Sequence, residues 1–280
     1  MKIRMIGLML GTAALSVWGA GCEQPTIDCR STRGGFATTF VLQNGSGACA
    51  ELQTGVVGLQ SYYGKGTGNN QVDINKSSLA IRPENIIAAE DAVLGLIDEG
   101  CADENAIVEI NYSAVGAFLS VDPDESGVCS VPSATTTTFR SNAIAPSGDP
   151  MDPENACAEG LPEQNISYEW RNVKVHVSTA GPGNRFEADL TYTDNGCTAQ
   201  YKVCGVWPVV HCEKLDPQQA TEEDPDGHTG MPEDKLCDGE PDLDPQYGIP
   251  YGSGINTDYK PICDPVALLC VLPTCPIPPQ

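Results

Sequence analysis

The sequence is poor in most of the residues that carry recognisable chemistry. Only three histidines occur in 280 residues, and His176, His211 and His228 are dispersed, with only His211 beside a cysteine, Cys212. No Cys-x-x-Cys pair is present, so zinc has no local ligand set. Gly-x-Ser-x-Gly and His-Glu-x-x-His are both absent, which removes the common nucleophilic and zinc-protease signatures. Positive charge is also scarce: 15 Lys and Arg stand against 38 Asp and Glu, a formal net charge of −23. A surface of that sign repels phosphate backbones and argues against nucleic-acid binding. Aromatic residues make up 6% of the chain. The pairs Tyr62/Tyr63 and Trp170/Trp207 are therefore expected in a core rather than on a sugar- or peptide-binding face. Beyond residue 22 no apolar run reaches the ~20 residues of a membrane-spanning helix.

Against these absences the chain holds 13 cysteines, 29 glycines and 22 prolines. It opens with Lys2 and Arg4, continues with an uncharged apolar run over residues 5–17, and reaches Cys22 through Gly19, Ala20 and Gly21. A positive head, an apolar run and small residues form the pattern of a secretory signal peptide, residues 1–21 here. The alternatives are an ordinary signal peptide cut after Gly19 or Ala20 and an uncleaved helix, for which the run is short. Export to an oxidising compartment makes cysteine density meaningful. Setting Cys22 aside leaves twelve disulfide candidates: Cys29, Cys49, Cys101, Cys129, Cys157, Cys197, Cys204, Cys212, Cys237, Cys263, Cys270 and Cys275. Their connectivity does not follow from spacing.

A cysteine directly after the small residues resembles the lipobox of bacterial lipoproteins, with Gly19 standing where that family usually carries Leu. The resemblance implies that Cys22 becomes the mature N-terminus and carries acyl chains such as palmitate. It implies a partner too, the membrane, held by those chains rather than by charge. Glu23 in place of an inner-membrane-retaining Asp implies the outer membrane, on its periplasmic or surface face. Together with Gly-Cys-Thr-Ala-Gln-Tyr at 196–201 and Cys-Asp-Pro-Val-Ala-Leu-Leu-Cys at 263–270, the chain looks like uncharacterised cysteine-rich envelope lipoproteins of myxobacterial type. That resemblance implies surface placement and no activity.

The mature chain reads as a lipidated tether at 22–34, a disulfide-rich, mostly β domain at 35–212, and an acidic, proline-rich tail at 213–280 pinned by disulfides. Strands are predicted at 36–42, 56–63, 79–81 and 107–115, with the glycine run at 64–70 as a hairpin loop. One helix is predicted at 84–98, with Ile86, Ala89, Val93, Leu94 and Ile97 on its packing face. Residues 122–162 lose periodicity and read as a long loop tied down by Cys129 and Cys157. The clearest block is 166–207. There Val173, Val175 and Val177, then Phe186, Ala188, Leu190 and Tyr192, then Ala199, Tyr201 and Val203 alternate with polar residues. This predicts a three-stranded antiparallel meander with His176 on its exposed face. The fold class is mainly β, α+β at the margin: a disulfide-rich antiparallel sheet or sandwich with one packing helix and an irregular acidic tail.

One metal motif has the correct spacing. Glu222, Asp224, Asp226 and Glu233, with Gly227 at the bend, match a calcium loop if Glu222 replaces the usual Asp. Pro217 and Pro232 oppose the helices that would flank an EF-hand loop, so a solvated acidic linker is the plainer reading and no cofactor is required. No catalytic residue is identified. The expected function is a non-enzymatic structural, adhesive or assembly role in the envelope with protein or glycan partners. The alternative is a glycan- or peptide-binding module, calcium-dependent or not.

Overall fold

The computed structural model describes residues 27–68, 71–147, 157–179, 181–216, 227–243 and 249–275. Its centre is one antiparallel sheet built outward from the meander. Strands β1 (Gly34–Asn44), β2 (Thr54–Lys65) and β3 (Val72–Pro83) lead into helix α1 (Glu84–Asp98). β4 (Ile107–Asn111), β5 (Ala114–Ala117), β6 (Val128–Ser133) and β7 (Thr137–Ser141) follow. Then come β8 (Gln164–Val177), β9 (Pro182–Asp194) and β10 (Cys197–Val206). The strand order is β4-β7-β8-β9-β10-β1-β2-β3-β5, with β6 also paired to β8.

The predicted mainly β class and the single packing helix are both present, and the meander forms as read. Its turn at Asn195-Gly196 places both residues at positive φ, the conformation a tight hairpin needs. On β8 the inward set changes phase. Tyr168 and Trp170 point in, then Val173, Val175 and Val177. A bulge between Arg171 and Lys174, with Asn172 at φ 49°, absorbs the extra residue.

The sheet curls until its two sides nearly meet. Leu119 donates its N–H to the Ser130 carbonyl at 2.9 Å, and Thr135 N–H reaches Val115 O at 3.0 Å. Gly116 permits this approach, because a Cβ there would lie 2.4 Å from Val131 Cγ1 and 2.5 Å from Ser133 O. The lumen is filled rather than hollow. Trp170, Tyr168, Tyr201, Phe36, Phe139 and Phe186 are its largest fully buried side chains. Phe36 and Phe186 meet edge-on with centroids 5.5 Å apart. Helix α1 packs Ile86, Ala89 and Val93 onto this core and touches β2, β3 and β7, so it bridges the two sides of the seam.

Several expectations require correction. Residues 107–115 are not one strand: β4 and β5 lie at opposite ends of the sheet order, and Val108 is exposed. The short strand at 79–81 is the middle of β3. Leu94 faces solvent, because the buried stripe of α1 is narrower than its apolar composition suggests. The long loop at 122–162 contains β6 and β7. Pro132 and a run of threonines hide their alternation, and Pro132 occupies a step of β6 without a register partner. Cys129 and Cys157 do not close that loop locally; they pair with Cys29 and Cys101. The predicted tether is docked from residue 27 onward, with Cys29 fully buried.

The tail is more organised than its composition suggests. β11 (Glu213–Leu215) pairs with β12 (His228–Pro232), and β13 (Ile262–Cys263) with β14 (Cys270–Val271). Neither pair joins the main sheet. Ile255, Leu269, Val271 and Leu272 bury against the outward residues Ala37 and Val206 of β1 and β10. This part of the barrel wall is therefore covered on both faces.

The seam can be tested with two glycine substitutions. Gly116→Ala should cost about 1–3 kcal/mol, because the added methyl meets backbone that cannot swing away. Gly95→Ala, in α1 with nothing within 4 Å of the new Cβ, should stabilise by roughly 0.8–1 kcal/mol. Urea denaturation midpoints of the two variants should move in opposite directions.

Candidate functional site

Three places outside the lumen gather polar chemistry. The widest is a groove of about 520 Å³ between the barrel wall and the tail, lined by Trp207, Pro208, Val209, His211, Glu84 and Leu269 among others. β10 leads directly into it, and the Trp207-Pro208 peptide is cis. His211 forms an isolated bridge with Leu269, so the tail supplies the groove's far wall. Three disulfides hold that wall: Cys204–Cys275, Cys212–Cys263 and Cys237–Cys270. Asp264 adds a fourth tie. Its carboxylate accepts the Val266 and Ala267 N–H groups and the Thr54 hydroxyl at 2.8–2.9 Å. Partial burial raises its pKa, but those bonds outweigh it and the net shift is downward.

The second place is the outer face of the meander. Asp189 is its hub, accepting from Asn172 Nδ2 at 2.7 Å and from the Lys202 ammonium. Lys174 pairs with Glu187 alongside at 3.0 Å. Each of these positive side chains is answered by a carboxylate across the strands, which stabilises the register. The face is polar but chemically satisfied.

The third is a buried cation. Arg185 is 7% exposed, and no carboxylate pairs with it among the described residues. Its guanidinium donates to His176 Nδ1 at 3.1 Å and lies 5.0 Å from the centroid of the Tyr259 ring. The Tyr259 hydroxyl donates to Asn184 Oδ1 at 2.6 Å. Since Nδ1 accepts, the proton of neutral His176 sits on Nε2, which is buried without a partner, as is Arg185 Nε. His176 is thus not the exposed strand residue expected from alternation, because Arg185, itself under the Tyr259 ring from the tail, lies against it. Burial first, and then the neighbouring Arg185 charge, lower its pKa to about 4.

The candidate residues from the sequence fare unevenly. Cys22, Glu222, Asp224 and Asp226 lie outside the described residues. Glu233 caps a 3-10 turn by accepting the Lys235 N–H, which occupies one carboxylate oxygen with a structural bond. The twelve remaining cysteines form six disulfides, completed by Cys49–Cys197. Sulfurs of Cys212, Cys237 and Cys270 lie within 4.8 Å of one another, but as disulfides they offer no thiolate to a metal. Trp170 is core as expected, whereas Tyr62 and Tyr63 are exposed and Trp207 lines the groove. The Arg185 cluster was not legible in advance, since Tyr259 reaches it from the tail.

The limits of the barrel coincide with those of a known family. A family model, MlpA, matches residues 34–208, which run from the first residue of β1 to just beyond the end of β10. The chain belongs to the MlpA family. A Myxococcus xanthus protein named "Putative lipoprotein MlpA" is 26% identical over 112 residues, covering 40% of this chain. The matched stretch spans 36% of that relative's length. Its organism and name agree with the resemblance to myxobacterial lipoproteins read from the sequence. No solved structure matches.

The Arg185 cluster gives the protein a pH dependence. With the folded-state pKa of His176 below its ordinary 6.5, the unfolded chain takes up the proton first as pH falls. Stability should therefore fall from about pH 6.5 to about pH 4, by up to about 3 kcal/mol for this residue. The lowered carboxyls of Asp73, Asp189 and Asp264 act below that window. Denaturation of wild type and His176→Gln across pH 4–7 should show the shallower slope in the variant.

Proposed function

We propose that this protein is a lipid-anchored envelope lipoprotein, acylated at Cys22, with a structural, adhesive or assembly role rather than an enzymatic one. The observation that carries the reading is the arrangement of its cysteines. Cys22 follows the apolar run and the small residues, while every other cysteine has a partner within the fold. The name of the Myxococcus xanthus relative supports it. Two or three acyl chains, at roughly 0.8 kcal/mol per buried CH₂, would anchor a chain whose net charge repels anionic lipid. Glu23 favours the outer membrane as the destination. A lumen packed with aromatic and aliphatic side chains makes the barrel a scaffold and leaves recognition of envelope proteins or glycans to its outer surface.

A second reading rests on the groove beside Trp207: an extracytoplasmic glycan- or peptide-binding module, with calcium at the acidic loop ending in Glu233. An indole at the edge of a solvent-filled groove is a suitable stacking platform. Calorimetric titration with calcium separates the versions. Absence of heat, together with a melting temperature unchanged by chelator, removes the metal.

Fractionation tests the anchor. Wild type should sediment with membranes and show an intact mass raised by acyl chains, whereas Cys22→Ala should appear in the soluble fraction. A wild-type protein recovered without acyl mass would contradict the assignment.

A further inference from the structure

The exposed apolar side chains of the barrel are unevenly distributed. Tyr62, Tyr63, Val72 and Ile74 on the β2–β3 hairpin, and Leu119 just past β5, are 39–71% exposed. The register places them at one end. Tyr62, Ser78 and Ala117 are direct neighbours across the antiparallel strands β2, β3 and β5, and the tip of the β2–β3 hairpin and Leu119 both lie on the same side of this row. β1 stops at Gly34 opposite Leu59, so the hairpin continues past the sheet with no strand beside β2. On its other side, β3 is paired with β5 only from Ser78 to Ile81.

The chain enters the barrel at this same end. Cys29 donates its N–H to Val121 O at 2.6 Å and is bonded to Cys129. Ser31 N–H reaches Ser61 Oγ at 2.7 Å, at the root of the hairpin. Seven residue steps separate Cys22 from Cys29. Fully extended they span at most ~25 Å. An acylated Cys22 would therefore keep Cys29, and with it this end of the barrel, within that reach of the bilayer surface.

We propose that the β2–β3 hairpin and Leu119 form a second membrane contact, seating the barrel end-on in the interfacial region of a phospholipid bilayer. The inference rests on Cys22 being the anchor. Tyrosines suit the interface because an apolar ring ends in a hydroxyl that remains hydrated. Valine, isoleucine and leucine supply area that water disfavours and acyl-chain boundaries accept. Charge is divided at this end. Arg30, Arg33, Lys65 and Lys76 are exposed, but so are Asp122, Asp124 and Glu125. Apolar area rather than attraction to anionic lipid is thus the driving term, and zwitterionic vesicles should suffice. The contact fixes orientation, so the groove beside Trp207 and the tail are presented at a constant angle to the membrane.

The test uses the mature chain carrying Cys22→Ser, which has no acyl group, so hairpin binding is read separately from anchoring. With phosphatidylcholine vesicles it should co-sediment weakly but measurably. Combined Tyr62→Ser, Tyr63→Ser, Val72→Thr, Ile74→Thr and Leu119→Ser should lower the partition coefficient by about tenfold or more. Exposed-site changes at Val266 and Tyr251 should leave it unchanged. A Tyr62→Trp reporter should shift its emission to the blue on vesicles, and near-ultraviolet circular dichroism verifies the fold of each variant. No partition by the Cys22→Ser chain, or partition insensitive to the fivefold variant with an unshifted reporter, would overturn the proposal. The anchor itself is judged only by the acyl mass of the wild-type protein.

Discussion

The structure depends on a close approach between backbones at the seam of the curled sheet. β5 and β6 can come together only because residue 116 has no side chain, and the contact turns an open sheet with two bare sides into a nearly closed wall. Closure defines an interior, and the interior then dictates the inward pattern of every strand. Phe36, Trp170, Phe186 and Tyr201 fill it from four different strands. The bulge at Asn172 is part of the same solution, since β8 must serve β7 with one half and β6 with the other.

The disulfides are arranged around this wall. Cys29–Cys129 joins the start of the chain to the seam strand β6, 100 residues away. Cys49–Cys197 closes the opposite end, where the Tyr201 hydroxyl donates to the Cys49 carbonyl. Cys204–Cys275 and its two neighbours fasten the tail over β1 and β10. Long loops of this kind restrict the unfolded chain most strongly in the chain-entropy view. They also explain how an acidic, proline-rich tail, with little core of its own, packs Ile255, Leu269, Val271 and Leu272 against the barrel.

How much of this could be read in the sequence depended on how local its cause was. The meander and α1 were legible because their buried residues repeat with the period of the element that carries them. β6 and β7 were not, because they are short, contain Pro132 and the threonine run, and owe their existence to the neighbouring edge of β8. The split between β4 and β5 was equally hidden, since an apolar alternation does not reveal which strand each half will join. The surroundings of His176 depended on Tyr259, which arrives from the tail, and strand alternation alone assigned the histidine to solvent. The exposure of Tyr62 and Tyr63 follows from a hairpin longer than its sheet, a property of register rather than composition.

The chain's entry at Cys29 and strand β6 are held together at the seam of the nearly closed barrel by one disulfide. The most direct test is non-reducing peptide mapping of the protein extracted from membranes. The account predicts a Cys29–Cys129 peptide pair, a separate Cys101–Cys157 pair and acyl mass on the peptide that begins at Cys22. A Cys129–Cys157 pair, which would close residues 129–157 as a local loop and leave Cys29 elsewhere, would contradict it.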